Sequence, residues 1–219
     1  MIKEVDFILS PEQLFSKEYV LNAISSKTGL KVDDIKEYRV VRKSIDARKG
    51  VKYNVRLQYI VKNEKFPSLA GKFAFKNVSN SEPVIIVGAG PAGYFAAIQC
   101  LMSGLKPIVL ERGKSVDERK HDIAALNREH KLNPDSNYAF GEGGAGTYSD
   151  GKLYTRSRKR GDVNLILQLL HHFGADEEIL IDSHPHIGTD KLPGIMKAIR
   201  EQIISCGGDV VFNTTVSEL

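Results

Sequence analysis

The sequence predicts an α/β chain in two parts, a small α+β domain over residues 1–80 and a domain built on a parallel sheet over residues 81–219. Three observations predict it. Charge is divided unevenly: residues 1–80 carry 16 Lys/Arg against 9 Asp/Glu, and residues 81–219 carry 15 against 18, a contrast that two domains explain economically. The apolar pattern up to residue 61 runs strand, helix, strand, strand. From residue 83 it changes to strands alternating with helices, which calls for a parallel sheet.

Residues 2–9 (IKEVDFIL) partly alternate and predict a strand that Ser10-Pro11 ends. Residues 16–28 place Tyr19, Val20, Ala23 and Ile24 at helical spacing, with Gly29 positioned as a C-cap. Two β-branched, alternating runs, IKEYRVVRKSIDA and VKYNVRLQYIV, flank Ala47-Arg48-Lys49-Gly50 and read as a β-hairpin. The β-α-β-β order matches part of a ferredoxin-like sandwich. Residues 62–82 mix Pro, Gly, Ser and Asn; Asn77–Glu82 reads as a linker and puts the boundary near residue 81. VIIVGAGPAGYFAAIQCLMSGLKPIVLERG then supplies a buried strand, a glycine turn, a helix and a second buried strand. A polar helix is expected over 114–132, a glycine-rich loop between 141 and 161, an apolar helix near 162–173 and a short strand at EEILID. Leu192, Ile195, Met196, Ile199 and Ile203 mark a helix over 190–206 that Gly207-Gly208 ends, and DVVFNTTV is the last strand.

The composition, 42% hydrophobic and 26% charged, is that of a globular chain, and its apolar runs fall far short of the roughly 20 residues that span a bilayer. The N-terminal MIKEVDFILSPEQ is neither a secretory signal nor a transit peptide, so a cytoplasmic address is expected. Cys100 and Cys206 lie far apart on segments that read as helical, which disfavours a disulfide framework and fits a reducing compartment. The basic first domain suits a solvated face better than a nucleic-acid site, because no clustered basic run carries interleaved aromatics.

The string that carries chemistry is Gly88-Ala89-Gly90-Pro91-Ala92-Gly93, a GxGxxG set between an apolar strand and a helix. Gly88 permits the tight turn, Gly90 lets the backbone approach a pyrophosphate, and Gly93 lets the helix pack closely on the sheet. The helix N-terminus then faces the phosphates and binds them without a lysine; no Walker GxxxxGK[ST] is present. Glu111 follows at the end of PIVLE. A carboxylate there accepts hydrogen bonds from both ribose hydroxyls and repels a 2′-phosphate, which favours FAD or NAD over NADP.

With Arg112 behind Glu111, this string resembles the glutathione-reductase-like superfamily of FAD enzymes, whose second strand ends in Glu-Arg or Glu-Lys. Three further segments, RKSIDARKG at 42–50, FGEGGAGTYSDGKLYTR at 140–156 and HPHIGTDKL at 184–192, are similar to the bacterial family of uncharacterised FAD-dependent dehydrogenases. The resemblance implies a Rossmann-like FAD/NAD(P)-binding domain. It implies FAD with its pyrophosphate on the Gly88–Gly93 string, its AMP ribose on Glu111 beside Arg112, and its flavin end near Gly143, Gly144, Ala145 and Gly146. Adenine would meet the main chain at Val216, and NADH or NADPH would donate electrons. Members of the superfamily close the site with a later strand and a Gly-Asp pair, which nothing after Val216 supplies. Members of the closer family also run longer, so the resemblance implies the N-terminal portion of such an enzyme, with catalytic residues beyond Leu219.

Other constellations carry less. His184-Pro185-His186 lacks further ligands at metal spacing, so no metal is expected; a loop before a helix in this superfamily can reach the flavin, which leaves either histidine open as an acid–base group. Thr189 or Asp190 reads as an N-cap with Pro193 in the first turn, and His171-His172 as partners of a helix dipole. Ser149-Asp150-Gly151 reads as a turn and RSRKR at 156–160 as a solvated loop. The absence of CxxC disfavours disulfide reduction. Two functions follow: an FAD-dependent oxidoreductase acting on an unspecified small molecule, with no membrane partner, or a non-catalytic dinucleotide- or RNA-binding module. The sequence names no substrate, catalytic residue or oligomeric state.

Overall fold

Alternation sorts the side chains of the first strand. In β1 (Lys3–Leu9), Val5 and Leu9 are buried while Glu4, Asp6 and Ile8 face outward. The computed structural model describes residues 2–218 except 62–63, 154, 156–160 and 189. It has an α/β architecture with one antiparallel and one parallel sheet, each of three strands. The chain divides into two compact units.

The first unit holds Met1–Ala70 and Glu177–Pro185. After β1 the chain forms α1 (Pro11–Phe15), a short helix begun by a capping box in which Ser10 and Gln13 satisfy each other's backbone N–H. The residues SPEQ were its signal, although only the end of a strand is read there. In α2 (Lys17–Thr28), Val20 and Ile24 are buried and Tyr19 is exposed. Gly29, at φ +74°, closes α2 by donating its N–H to the Ser25 carbonyl. The hairpin strands β2 (Ile35–Asp46) and β3 (Lys52–Val61) complete an antiparallel sheet in the order β1-β3-β2. Its inner face packs Val55, Leu57 and Tyr59 with Val5, Val20 and Ile24 in one core. The outer face is polar and internally paired: Arg56 binds Asp6 through two hydrogen bonds of 2.8 and 3.1 Å, and Gln58 bridges Glu4 and Arg39.

At the free edge of β2, the Lys43 N–H donates to the Ile181 carbonyl (2.8 Å) and the Ser183 N–H to the Lys43 carbonyl (2.9 Å). The Lys43 ammonium also pairs with Asp182 at 3.2 Å. The strand expected at EEILID is corrected: Glu177–Leu180 is a 3₁₀ turn, and only Asp182 pairs with a strand residue. The cause is local, since the Glu178 carbonyl accepts from both Ile181 and Asp182 and curls the segment.

The second unit holds Gly71–Asp176 and His186–Leu219. Residues 71–80 therefore belong with it, not with the first unit as a boundary near 81 would have it. Phe75 stacks on Phe173 at 6.0 Å, and buried Val78 donates its N–H to the Cys206 carbonyl. The strands β4 (Pro83–Val87), β5 (Lys106–Leu110) and β6 (Asp209–Val211) run parallel in that order. α3 (Pro91–Ser103) links the first two; α4 (Val116–Glu129), α5 (Val163–His172) and α6 (Leu192–Ser205) follow before β6. α3 and α6 cover one face of the sheet with Ala97, Ile98, Leu101, Ile199 and Ile203, all buried. On the opposite face Ile85 and Val87 remain 55% and 58% exposed. DVVFNTTV is a regular strand only to Val211; Asn213 then takes φ +52°. At α6 the N-cap position is Lys191, without a side-chain cap, rather than Asp190, while Pro193 sits in the first turn as expected. Thr189 and the RSRKR stretch lie outside the described residues.

Candidate functional site

The string Gly88–Gly93 forms the turn between β4 and α3, and its geometry asks for glycine in distinct ways. Gly88 holds φ +96°, which side-chain-bearing residues rarely adopt. A Cβ on Gly93 would stand 1.9 Å from the Gly88 carbonyl oxygen, so helix and turn touch backbone to backbone. Gly90, the N-cap of α3, has open space at its Cβ position, and Pro91 occupies the first turn, where its missing N–H costs nothing. Ala92 and Gly93 complete that turn. No side-chain hydrogen bond caps the N-terminus of this helix.

Glu111 lies one residue beyond β5 and is 6% exposed. Its carboxylate is already engaged: Oε2 accepts from the Ala89 N–H at 2.8 Å, and Oε1 accepts from Gly113 at 2.8 Å and Gly141 at 3.1 Å. A carboxylate offers about four acceptor sites, and main-chain amides fill three of them, which leaves one for a further donor where the sequence reading expects two ribose hydroxyls. Glu111 thus pins the glycine turn and the 140s loop together as well as facing the cavity described below. The neighbouring Arg112 guanidinium lies 4.6 Å over the Phe140 ring and pairs with Asp135 at 3.1 Å.

Gly143 and Gly144 lie against the same turn, whereas Ala145 and Gly146 are exposed. The Gly143 N–H donates to the Ala89 carbonyl at 2.8 Å, and a Cβ on Gly144 would reach within 3.5 Å of Gly90. Residues 213–214 hydrogen-bond to the main chain of Gly113 and Glu111, which carries Thr214, Thr215 and Val216 alongside. Together these segments wall a cavity of ≈ 370 Å³ at the C-terminal ends of the strands. Of the residues singled out from the sequence, Gly88, Gly90, Glu111, Arg112, Gly144 and Val216 line it. Pro91, Ala92, Gly93, Gly143, Ala145 and Gly146 do not line it, and of these Pro91, Ala92, Ala145 and Gly146 are exposed.

Beneath the 140s loop sits a polar cluster that sequence reasoning missed. Glu142 is fully buried; its carboxylate accepts from the Tyr94 hydroxyl at 2.6 Å, the Val116 N–H at 2.7 Å and Arg200 at 2.8 Å. Arg119, also fully buried, donates to the carbonyls of Asn137, Tyr138, Gly141 and Glu142. Burial, reinforced by the Glu142 charge, holds the Tyr94 hydroxyl far above its ordinary range, so it stays a donor. Desolvation likewise lowers Arg119 and raises Tyr148, whose ring lies 5.1 Å from the Arg119 guanidinium. The available signal was Glu142 itself, one charged residue inside a run of glycines.

His184 and His186 do not line the cavity, and they fall in different units. His171 contacts the Ala175 carbonyl through Nδ1 at 2.7 Å, while His172 packs edge-on against Phe73, Phe75 and Phe173 instead of capping a dipole. Ser149 forms a turn by accepting from the Gly151 N–H. Cys100 and Cys206 are free thiols. Among the described residues no group of three or more His, Cys, Asp and Glu is placed to hold a metal, and no helix is long and apolar enough to cross a membrane.

Residues 1–62 match a domain of unknown function, DUF8436. The chain is also similar to an uncharacterized protein of Clostridium beijerinckii, 37% identical over 214 residues that cover 90% of this chain and 40% of the relative. The chain therefore spans about two fifths of the length of the relative it matches.

Proposed function

We propose that the second unit is a Rossmann-like domain that binds FAD without a covalent bond, and that the chain is the cofactor-binding part of a flavin-dependent oxidoreductase. One observation carries the reading: a single cavity gathers Gly88, Gly90, Glu111, Arg112, Gly144 and Val216 at the C-terminal ends of parallel strands, where ligands of open α/β sheets bind. The residues fit the adenosine-diphosphate end of such a ligand. Gly90 has no Cβ to keep a pyrophosphate from the α3 N-terminus, and the open acceptor site on Glu111 suits a ribose hydroxyl.

FAD supplies the redox chemistry when bound, taking up a hydride at its flavin. The chain's own residues bind and orient. The first amides of α3 hold the phosphates, Glu111 fixes the ribose while keeping a 2′-phosphate out, and Phe140 with Arg112 walls the adenosine pocket. No described residue is assigned a proton-transfer role. NADH or NADPH is the proposed electron donor, and the two free thiols accord with a cytoplasmic, reducing setting.

The test is a titration of the purified chain with FAD, NAD and NADP, followed by flavin fluorescence and by thermal stabilisation. Saturable quenching by the protein, with FAD stabilising more than either nicotinamide nucleotide, supports the reading. Stabilisation by NAD alone would move the assignment to a nicotinamide site, and no response to any of the three would sink it.

A further inference from the structure

We infer that Glu142 is a positioning residue, which holds the glycine loop 141–146 in the shape that the cofactor site requires without touching the ligand itself. The inference rests on the FAD reading above. Glu142 does not line the cavity, yet Gly141 and Gly144 on either side of it do. Its side chain points the other way, into the interior, where it meets Tyr94 of α3, the first amide of α4 and Arg200 of α6. One carboxylate thus ties the loop to three helices. Its main chain is held as firmly, the N–H donating to the Lys114 carbonyl and the carbonyl accepting from buried Arg119.

Two features argue for more than packing. Burying an ion pair is a weak source of stability, because desolvation offsets the attraction, and here Glu142 is fully buried with Arg200 only 12% exposed. The loop also needs an external hold. Gly141, Gly143 and Gly144 all take positive φ, and glycines lose more conformational freedom on ordering than other residues. Without a rigid support such a run samples many shapes. A fixed charge seated among it selects one, which is what preorganisation of a binding backbone requires.

The variants Glu142→Gln and Tyr94→Phe test this. Both nearly preserve shape; the second removes only one of the three donors. Far-UV circular dichroism at low temperature first establishes that each is folded. FAD affinity and amide exchange of residues 141–146 are then compared with the wild-type chain. The expected result is FAD dissociation constants raised about tenfold in Glu142→Gln and about threefold in Tyr94→Phe, as for loss of charge-assisted hydrogen bonds, with faster loop exchange in both. Variants that melt lower but bind FAD with wild-type affinity and wild-type loop exchange would show a merely structural role and overturn the inference. Should the wild-type chain bind no FAD, the functional reading fails by itself. Loop exchange in the unliganded variants then decides whether Glu142 orders the loop, and unchanged exchange overturns the positioning role.

Discussion

Glu111 joins two tasks that a single substitution separates. Removing its carboxylate strands the N–H groups of Ala89, Gly113 and Gly141, and unsatisfied donors of this kind make Glu111→Ala cost roughly 2–4 kcal/mol, measurable by urea denaturation of the unliganded chain. Glu111→Gln keeps an acceptor oxygen, so a smaller loss of stability with a clear loss of FAD affinity is expected. Equal FAD affinity in Glu111→Gln and wild type would remove the ribose contact from the proposal. The two nearby glycines are expected to fail differently. Gly93→Ala drives a methyl into the Gly88 carbonyl and should lower the melting temperature strongly, whereas Gly90→Ala meets nothing and should leave it near wild type while weakening FAD binding. Gly88 and Gly93 were legible in the sequence because backbone geometry at a strand–turn–helix joint accepts almost nothing else at those two positions, and Gly90 only through its place in the same string. The partners of Glu111 were not legible, since they are main-chain amides at positions 89, 113 and 141 whose meeting depends on the folded loop.

Helices were readable where an apolar period met a cap. α2 and α6 follow their buried rows, Val20 and Ile24 in one and Ile195, Ile199 and Ile203 in the other. EEILID misled because a short run with three apolar residues looks alike as strand or turn, and a carbonyl shared between two amides decided it. Between α4 and α6 the signal was absent altogether: Asp117 opens the first, Lys197 and Arg200 lie on the second at 3.2 and 3.5 Å, and nothing in spacing announces the pairing. The hydrogen bond from Lys197 holds the Asp117 carboxyl below its ordinary value. A depressed carboxyl stabilises the fold above its unfolded pKa, and that contribution is lost as pH falls through the folded pKa. Asp117→Asn should therefore lower the chemical-denaturation midpoint near neutrality and lose less than wild type when the pH drops from about 6 to about 3. Parallel acid profiles for the two proteins would contradict the coupling.

At the scale of the molecule, a parallel sheet is normally covered on both faces, yet here α3 and α6 cover one and leave Ile85, Val87 and Val211 exposed on the other. Such a patch should bind the dye ANS in the folded state, and Ile85→Thr should reduce that fluorescence without lowering the melting temperature by more than a few degrees; undiminished binding would locate the dye elsewhere. The units carry 14 Lys/Arg against 12 Asp/Glu and 17 against 15, so the charge contrast across residue 80 is not a contrast between them, although a division in two was legible in the change of apolar pattern. The return of residues 177–185 to the first unit was not, because two backbone hydrogen bonds and one ion pair at Lys43 leave no compositional trace. That return bears on how the chain is made. Arg42 and Ser183 are 141 positions apart, and at roughly 5–20 residues per second the ribosome takes on the order of ten seconds to deliver the second after the first. Through that interval the edge of β2 waits with its hydrogen-bonding groups open to any neighbouring strand, so the newborn first unit has its most vulnerable moment before the second is finished.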